Sequence, residues 1–156
     1  MLYWVFDLDN TLYQVYNQRF GYHLLKVDKS LQQMLSMLPC KRVIFTNANL
    51  AHAKLCLQYM EIIDKFHTVI HRDIISDIKP NLRAFVRMML LSGINRNDKC
   101  IFFEDNLSNL IMAKSLGWIT VYISPNIISH PSIDYSFSNI NVALKYFINI
   151  ISNKKK

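Results

Sequence analysis

Glycine is nearly absent from this chain: Gly21, Gly93 and Gly117 are the only three in 156 residues. Neither the glycine-rich turn of a dinucleotide-binding fold nor a Walker-type phosphate loop can be assembled from so few. Cysteine is equally sparse. Cys40, Cys56 and Cys100 are odd in number, widely spaced and set among apolar neighbours, which predicts reduced thiols and a cytoplasmic location rather than a disulfide framework. No CxxC pair and no HExxH motif is present, so neither common zinc motif is available. Asp7 arrives after six residues with no basic segment before it, so the start reads as a strand and not as a secretory signal. The longest stretch free of Asp, Glu, Lys and Arg, from Ser115 to Ile133, is broken by Pro125, Asn126, Ser129, His130 and Pro131. It is too short for a membrane span, and no membrane partner is expected.

What is present is core material. The chain is 51% hydrophobic and 19% charged, the composition of one globular domain, placed at residues 1–151 with a basic tail at 152–156. Eighteen Lys and Arg against 11 Asp and Glu give a formal net charge of +7. Lys154, Lys155 and Lys156 carry part of that excess, and the remainder is too mild to point to a polyanion-binding face.

Short apolar runs alternate with longer amphipathic stretches, the pattern of parallel strands joined by crossover helices. Five strands are expected: Leu2 to Phe6, Arg42 to Thr46, Thr68 to His71, Cys100 to Glu104 and Ile119 to Ile123. Their apolar runs are nearly continuous, as strands covered on both faces require. Helices are expected over Asp28 to Leu38, Leu50 to Met60, Pro80 to Ser92, Asn106 to Leu116 and Val142 to Ile151. Pro80 suits a first helical turn and Gly93 a C-terminal cap.

In such a sheet, ligands bind beyond the carboxyl ends of the strands. There the sequence places Asp7, Asp9 and Thr11 after the first strand, Thr46 and Asn47 at the second, and Glu104 and Asp105 at the fourth. Lys79 precedes the helix that follows the third. Strand alternation predicts that Asp7 and Asp9 point to the same side. Carboxylates gathered at one rim repel unless a cation lies among them, and hard oxygen donors suit magnesium. Each cluster taken alone has an ordinary reading: an Asp turn, a helix cap at Thr46-Asn47 or at Glu104-Asp105, a solvated lysine at Lys79. Their joint order along four strands is what points to chemistry.

These residues resemble the haloacid dehalogenase superfamily of aspartate-nucleophile phosphotransferases, whose motifs are a DxDxT/V, a Ser or Thr, a Lys and an acidic pair. FDLDNTLY at Phe6 to Tyr13 is a specific form of the first. The stretches FTNANLAHAKLCL, KPN at Lys79 to Asn81 and FFEDNLSNLIMAKSLGW look most like the pyrimidine 5′-nucleotidase branch. The resemblance implies a doubly wound, three-layer, Rossmann-like α/β fold. It implies Asp7 as nucleophile, Asp9 as acid and base, and Lys79 as the neutralising cation. Thr46, Asn47 and Lys79 would hold phosphoryl oxygens. Magnesium would be held by Asp7, Asp9 (through its carbonyl) and Asp105, with Glu104 acting through water; Thr11 and Asn109 would be supporting residues. The branch inserts a helical cap between its first two motifs, yet only Gln14 to Val27 remains here for flap and cap together, so a minimal or absent cap is expected.

The function so implied is a magnesium-dependent phosphatase acting on a small phosphorylated substrate, a nucleotide by the resemblance. Two alternatives stand beside it: an open-cleft phosphatase for nucleic-acid ends or phosphoproteins, and a phosphate-binding scaffold without turnover. A homo-oligomer partner is one way to cover an open cleft. His52 falls at a branch position, where packing and a substrate-edge role are both open. His67 and His71 read as structural. The flap aromatics Tyr13, Tyr16, Phe20 and Tyr22 either stack a base or pack among themselves.

Overall fold

A computed structural model describes residues 1–16 and 18–153, so position 17 in the flap and the lysines at 154–156 lie outside the described residues. Six parallel strands form one sheet: β1 (Leu2–Phe6), β2 (Lys41–Phe45), β3 (Thr68–Ile70), β4 (Lys99–Glu104), β5 (Ile119–Ile123) and β6 (Tyr135–Phe137), in the order β3-β2-β1-β4-β5-β6. The helices are α1 (Lys29–Met37), α2 (Leu50–Tyr59), α3 (Arg72–Ile75), α4 (Leu82–Ser92), α5 (Leu107–Ser115) and α6 (Ile140–Asn153). The doubly wound α/β fold agrees with the expectation, but the sheet has six strands and not five. β6 is three half-buried residues, too short to show an apolar run; only its pairing with β5 defines it. α3 and the 3-10 turns at Tyr22–Leu24 and Ile63–Lys65 also escaped the periodicity, being one turn or less.

Side-chain alternation sorts the strand residues into two cores. Trp4, Phe6, Ile44, Ile101 and Phe103 face α1, α2 and α6, while Tyr3, Val5, Val43, Phe45 and Phe102 face α4 and α5. Phe6 and Phe103 stack with ring centroids 4.7 Å apart. On α6, the buried Ile140, Ala143, Leu144 and Phe147 repeat at helical spacing and close one layer. α1 and α5 start one residue later than expected because Asp28 and Asn106 are their N-caps, and α4 starts two residues later, at Leu82, so Pro80 lies outside the helix, before the N-cap Asn81, and not in its first turn. Asp28, Asn81 and Asn106 each accept a backbone N–H from the first turn. Gly93 does cap α4, at a φ of 69° that a β-carbon would strain. His67 and His71 lie just outside β3 at either end: His67 Nδ1 accepts the Arg42 N–H, and His71 precedes α3.

The register fixes the site. Phe6 pairs with Ile44 on one side and Phe103 on the other, so the next residues, Asp7, Phe45 and Glu104, emerge together at the carboxyl rim.

Candidate active site

Asp7 follows directly from β1 and is anchored by its N–H to the Phe103 carbonyl. Its Oδ1 accepts from Lys79 Nζ at 2.8 Å and its Oδ2 from the Thr11 hydroxyl at 3.1 Å. Lys79 is buried, and all three of its ammonium protons are committed: to Asp7, to Glu104 Oε2 at 2.8 Å and to the Phe45 carbonyl at 2.7 Å. The rings of Phe45 and Phe102 lie below the ammonium at 5.1 and 5.4 Å. Burial alone would lower the Lys79 pKa, but the two carboxylates outweigh it and raise it.

Lys79 is held in place by Asn47, whose Oδ1 accepts the Lys79 N–H at 2.8 Å while its Nδ2 donates to the Lys79 carbonyl at 3.0 Å. The sequence assigned Asn47 to phosphate through its backbone; the side-chain clamp depends on a contact 32 positions away and has no local signal. Thr46 is buried, and its hydroxyl oxygen accepts the Ala48 N–H, leaving its own proton to donate into the site.

Glu104 is fully enclosed. Its Oε1 accepts the N–H groups of Asp105 and Asn106, and its Oε2 accepts from Lys79 and Asn109. Four donors fill the four lone-pair positions of a carboxylate, which are the positions a bound water would use. Burial and the Asp7 charge push the Glu104 pKa up, and Lys79 opposes them. Asp105 is more open, and burial followed by the Asp7 charge pushes it up to about 6. Thr11 reaches Asp105 as well as Asp7, at 3.5 Å, and so links the two.

Oxygen atoms of Asp7, Glu104 and Asp105 all lie within 4.8 Å of one another. Three carboxylates against the single Lys79 ammonium leave a formal excess of two negative charges, which a hard divalent cation with oxygen ligands fits.

Asp9 differs from the expectation. β1 ends at Phe6, and the chain turns through Asn10 at a φ of 57°, so strand alternation does not extend to Asp9. Its carboxylate leaves the acidic trio and faces α2, where Oδ1 meets His52 Nε2 at 2.6 Å and accepts the Tyr13 hydroxyl. His52 Nδ1 is 3.0 Å from the Tyr22 hydroxyl. Three of the flap aromatics pack together here, Phe20 lying against Tyr13, Tyr22 and His52 at 5.9, 5.3 and 5.4 Å. The sequence marks Tyr13 as a flap aromatic and leaves the role of His52 open, and the pairing of both with Asp9 goes beyond that expectation, although Tyr13 is only four residues from Asp9.

A family model for haloacid dehalogenase-like hydrolases matches residues 18–117, which take in Thr46, Lys79 and the Glu104-Asp105 pair but begin after Asp7. Among solved structures, a HAD phosphatase from Thermococcus onnurineus is 25% identical, with a TM-score of 0.61 over 77% of this chain and 54% of that one. An L-2-haloacid dehalogenase from Xanthobacter autotrophicus with chloropropionic acid covalently bound is 16% identical, with a TM-score of 0.66 over 81% and 63%. A HAD-superfamily hydrolase from Ehrlichia chaffeensis is 17% identical, with a TM-score of 0.62 over 81% and 62%. The chain therefore spans between about half and two thirds of the length of these structures. With the motif order of the sequence gathered at one rim and a family match across most of its length, this chain belongs to the haloacid dehalogenase-like hydrolases.

Proposed function

We propose that this protein is a magnesium-dependent phosphomonoesterase that works through an aspartyl-phosphate on Asp7, with small nucleotides as its substrates. The observation that carries this reading is the Asp7 carboxylate, oriented from both sides by Lys79 and Thr11 beside the acidic trio. In the first step an Asp7 oxygen attacks phosphorus in line, the bond to the leaving oxygen breaks, and Asp9 delivers its proton to that oxygen. In the second, Asp9 takes a proton from the water that attacks phosphorus, which frees phosphate and restores Asp7. The Thr46 hydroxyl and the Asn47 N–H serve as donors to phosphoryl oxygens. Lys79, its protons already engaged, acts by its charge from behind Asp7 rather than by a separate contact with phosphate. Magnesium, held by Asp7, Asp105 and the Asp9 carbonyl, would supply the positive charge that lets an anionic nucleophile approach an anionic ester.

A second reading changes the substrate and keeps the chemistry. Among the described residues between β1 and α1, the regular structure is a single 3-10 turn at Tyr22–Leu24. That supports a reduced cap, and an open cleft would admit a nucleic-acid end or a phosphoprotein.

The test is hydrolysis of nucleoside monophosphates, a 3′-phosphorylated oligonucleotide and a phosphopeptide, each with magnesium and with chelator, by wild type and Asp7→Asn. Magnesium-dependent turnover of the monophosphates, abolished in Asp7→Asn, is expected. Preference for the oligonucleotide or peptide would select the second reading. Asp7→Asn activity above about 1% of wild type would remove the aspartyl-phosphate, because an amide cannot form it.

A further inference from the structure

Beside the acidic trio lies a second cluster with different donor chemistry. The ligand atoms of Asp9, His52 and Cys56 all lie within 4.8 Å of one another. His52 and Cys56 are four apart on α2, so they share one face one turn apart. His52 Nε2 is 2.6 Å from Asp9 Oδ1 and 3.4 Å from Cys56 Sγ, so one ring nitrogen faces both a carboxylate and a sulfur. It can serve only one of them by hydrogen bonding. Its other nitrogen is already oriented by the Tyr22 hydroxyl, the outer contact that metal-ligating histidines ordinarily have.

From this convergence we propose that Asp9, His52 and Cys56 form a binding site for Zn²⁺, distinct in donors from the all-oxygen trio. One oxygen, one nitrogen and one sulfur ligand match the donor preference of tetrahedral zinc and are poorly suited to magnesium, and the Tyr13 hydroxyl, in contact with both Asp9 Oδ1 and Cys56 Sγ, has to give way as the metal enters. Tetrahedral bonds of about 2.0 Å to O and N and 2.3 Å to S place such ligands a little over 3 Å apart, so the Asp9–His52 contact has only to open slightly. Binding releases the Cys56 thiol proton to solvent. The imidazole proton moves from Nε2 to Nδ1, where the Tyr22 oxygen accepts it, and the Nε2 lone pair passes to the metal. Asp9 is 40% exposed in its side chain, so the site opens to the rim. Zinc would thereby take the carboxylate that the proposed hydrolysis needs as its acid, and act as an inhibitor without displacing magnesium. That consequence rests on the functional reading above, whereas the binding does not.

The experiment separates the two. Wild-type protein saturated with magnesium is titrated with Co²⁺ as a spectroscopic stand-in for Zn²⁺, and Zn²⁺ is then added in competition with a chromophoric chelator. A thiolate-to-cobalt charge-transfer band is expected, displaced by zinc, retained in Cys40→Ala and lost in Cys56→Ala. Zinc affinity should fall by more than about tenfold in both Cys56→Ala and Asp9→Asn, the second variant serving if the first does not fold. No band in wild type, or a band that survives Cys56→Ala, would overturn the site. In the activity arm Cys56→Ala, which leaves the catalytic groups in place, should keep turnover with magnesium and lose sensitivity to zinc. Cobalt binding without any phosphatase activity would sink the functional reading alone.

Discussion

Replacing Lys79 by Met removes one ammonium from between two buried carboxylates while keeping most of the side-chain volume. At 2.8 Å from Asp7 and 2.8 Å from Glu104, each pair has a Coulomb attraction of about 6 kcal/mol at an effective dielectric of 20. Most of that gross gain is offset in wild type by desolvating the charges, so the loss is smaller than the sum. Breaking a buried pair by removing one partner typically costs about 3–5 kcal/mol, because the charges left behind are uncompensated. Here two carboxylates and the Phe45 carbonyl lose a donor at once, which places Lys79→Met at the upper end and lowers the melting temperature on the order of 10 °C.

The sign of the pH dependence follows from Glu104, which is raised by burial even in wild type. Without Lys79 its folded pKa moves further above the unfolded value, so the folded variant binds that proton more tightly than the unfolded chain does. The variant's stability therefore recovers as pH falls, and its deficit relative to wild type narrows between pH 8 and pH 5. Urea unfolding of both proteins in chelator at the two pH values measures this. Adding Glu104→Gln should restore more than about 1 kcal/mol to Lys79→Met at pH 8, since the amide carries no charge and can donate toward Asp7. A deficit under about 1 kcal/mol at pH 8, or one equal at both pH values, would refute the account of Lys79 as the counter-charge of a buried pair.

Other outcomes follow from the same geometry. Asp105, pushed up to about 6, costs the metal-free fold stability as pH rises from its unfolded value near 4 through 6. Magnesium should therefore raise the melting temperature strongly at pH 7 and little at pH 5; a pH-independent rise would contradict this. Asn47→Ala removes two hydrogen bonds to the Lys79 main chain, of about 1 kcal/mol each, and should lower kcat more than it raises KM. Unchanged kcat would show that the clamp is dispensable. His52→Asn should slow hydrolysis of alkyl phosphates at least tenfold more than of p-nitrophenyl phosphate, a part of the roughly 10²–10⁴-fold that general-acid assistance contributes, because His52 acts through Asp9. Equal losses on both would reduce His52 to packing.

The site was legible in sequence wherever backbone periodicity carries through to the side chain. Asp7 continues β1 by one residue, and Glu104 ends β4, so the register that pairs Phe6 with Phe103 brings both to the rim without any further information. The same rule failed two residues later. Asp9 lies past the strand end, inside the turn closed by the Thr11 N–H on the Leu8 carbonyl, and the imidazole it meets on α2 is 43 positions away. Glu104 depends on distant partners as well: its four donors come from α5, the turn before it and Lys79, and only their sum shows that the carboxylate is fully occupied. β6 was missed for a related reason: three half-buried residues have no period, and their strand character exists only in the pairing with β5.

These failures share a direction. Sequence patterns report what a residue does to its own element, while the acid-base behaviour of a carboxylate is set by whatever other elements bring to it. Asp7 and Asp9 belong to the same five-residue motif, yet they end in surroundings built from different partners. One is buried against an ammonium and two further carboxylates. The other is half open, against an imidazole and a phenol. A nucleophile that must stay ionised and an acid that must give up and recover a proton need unlike surroundings, and a short motif can provide them only if the chain turns between its two aspartates. The end of β1 at Phe6 and the turn that opens at Leu8, whose carbonyl accepts the Thr11 N–H, are therefore part of the chemistry as much as the carboxylates themselves.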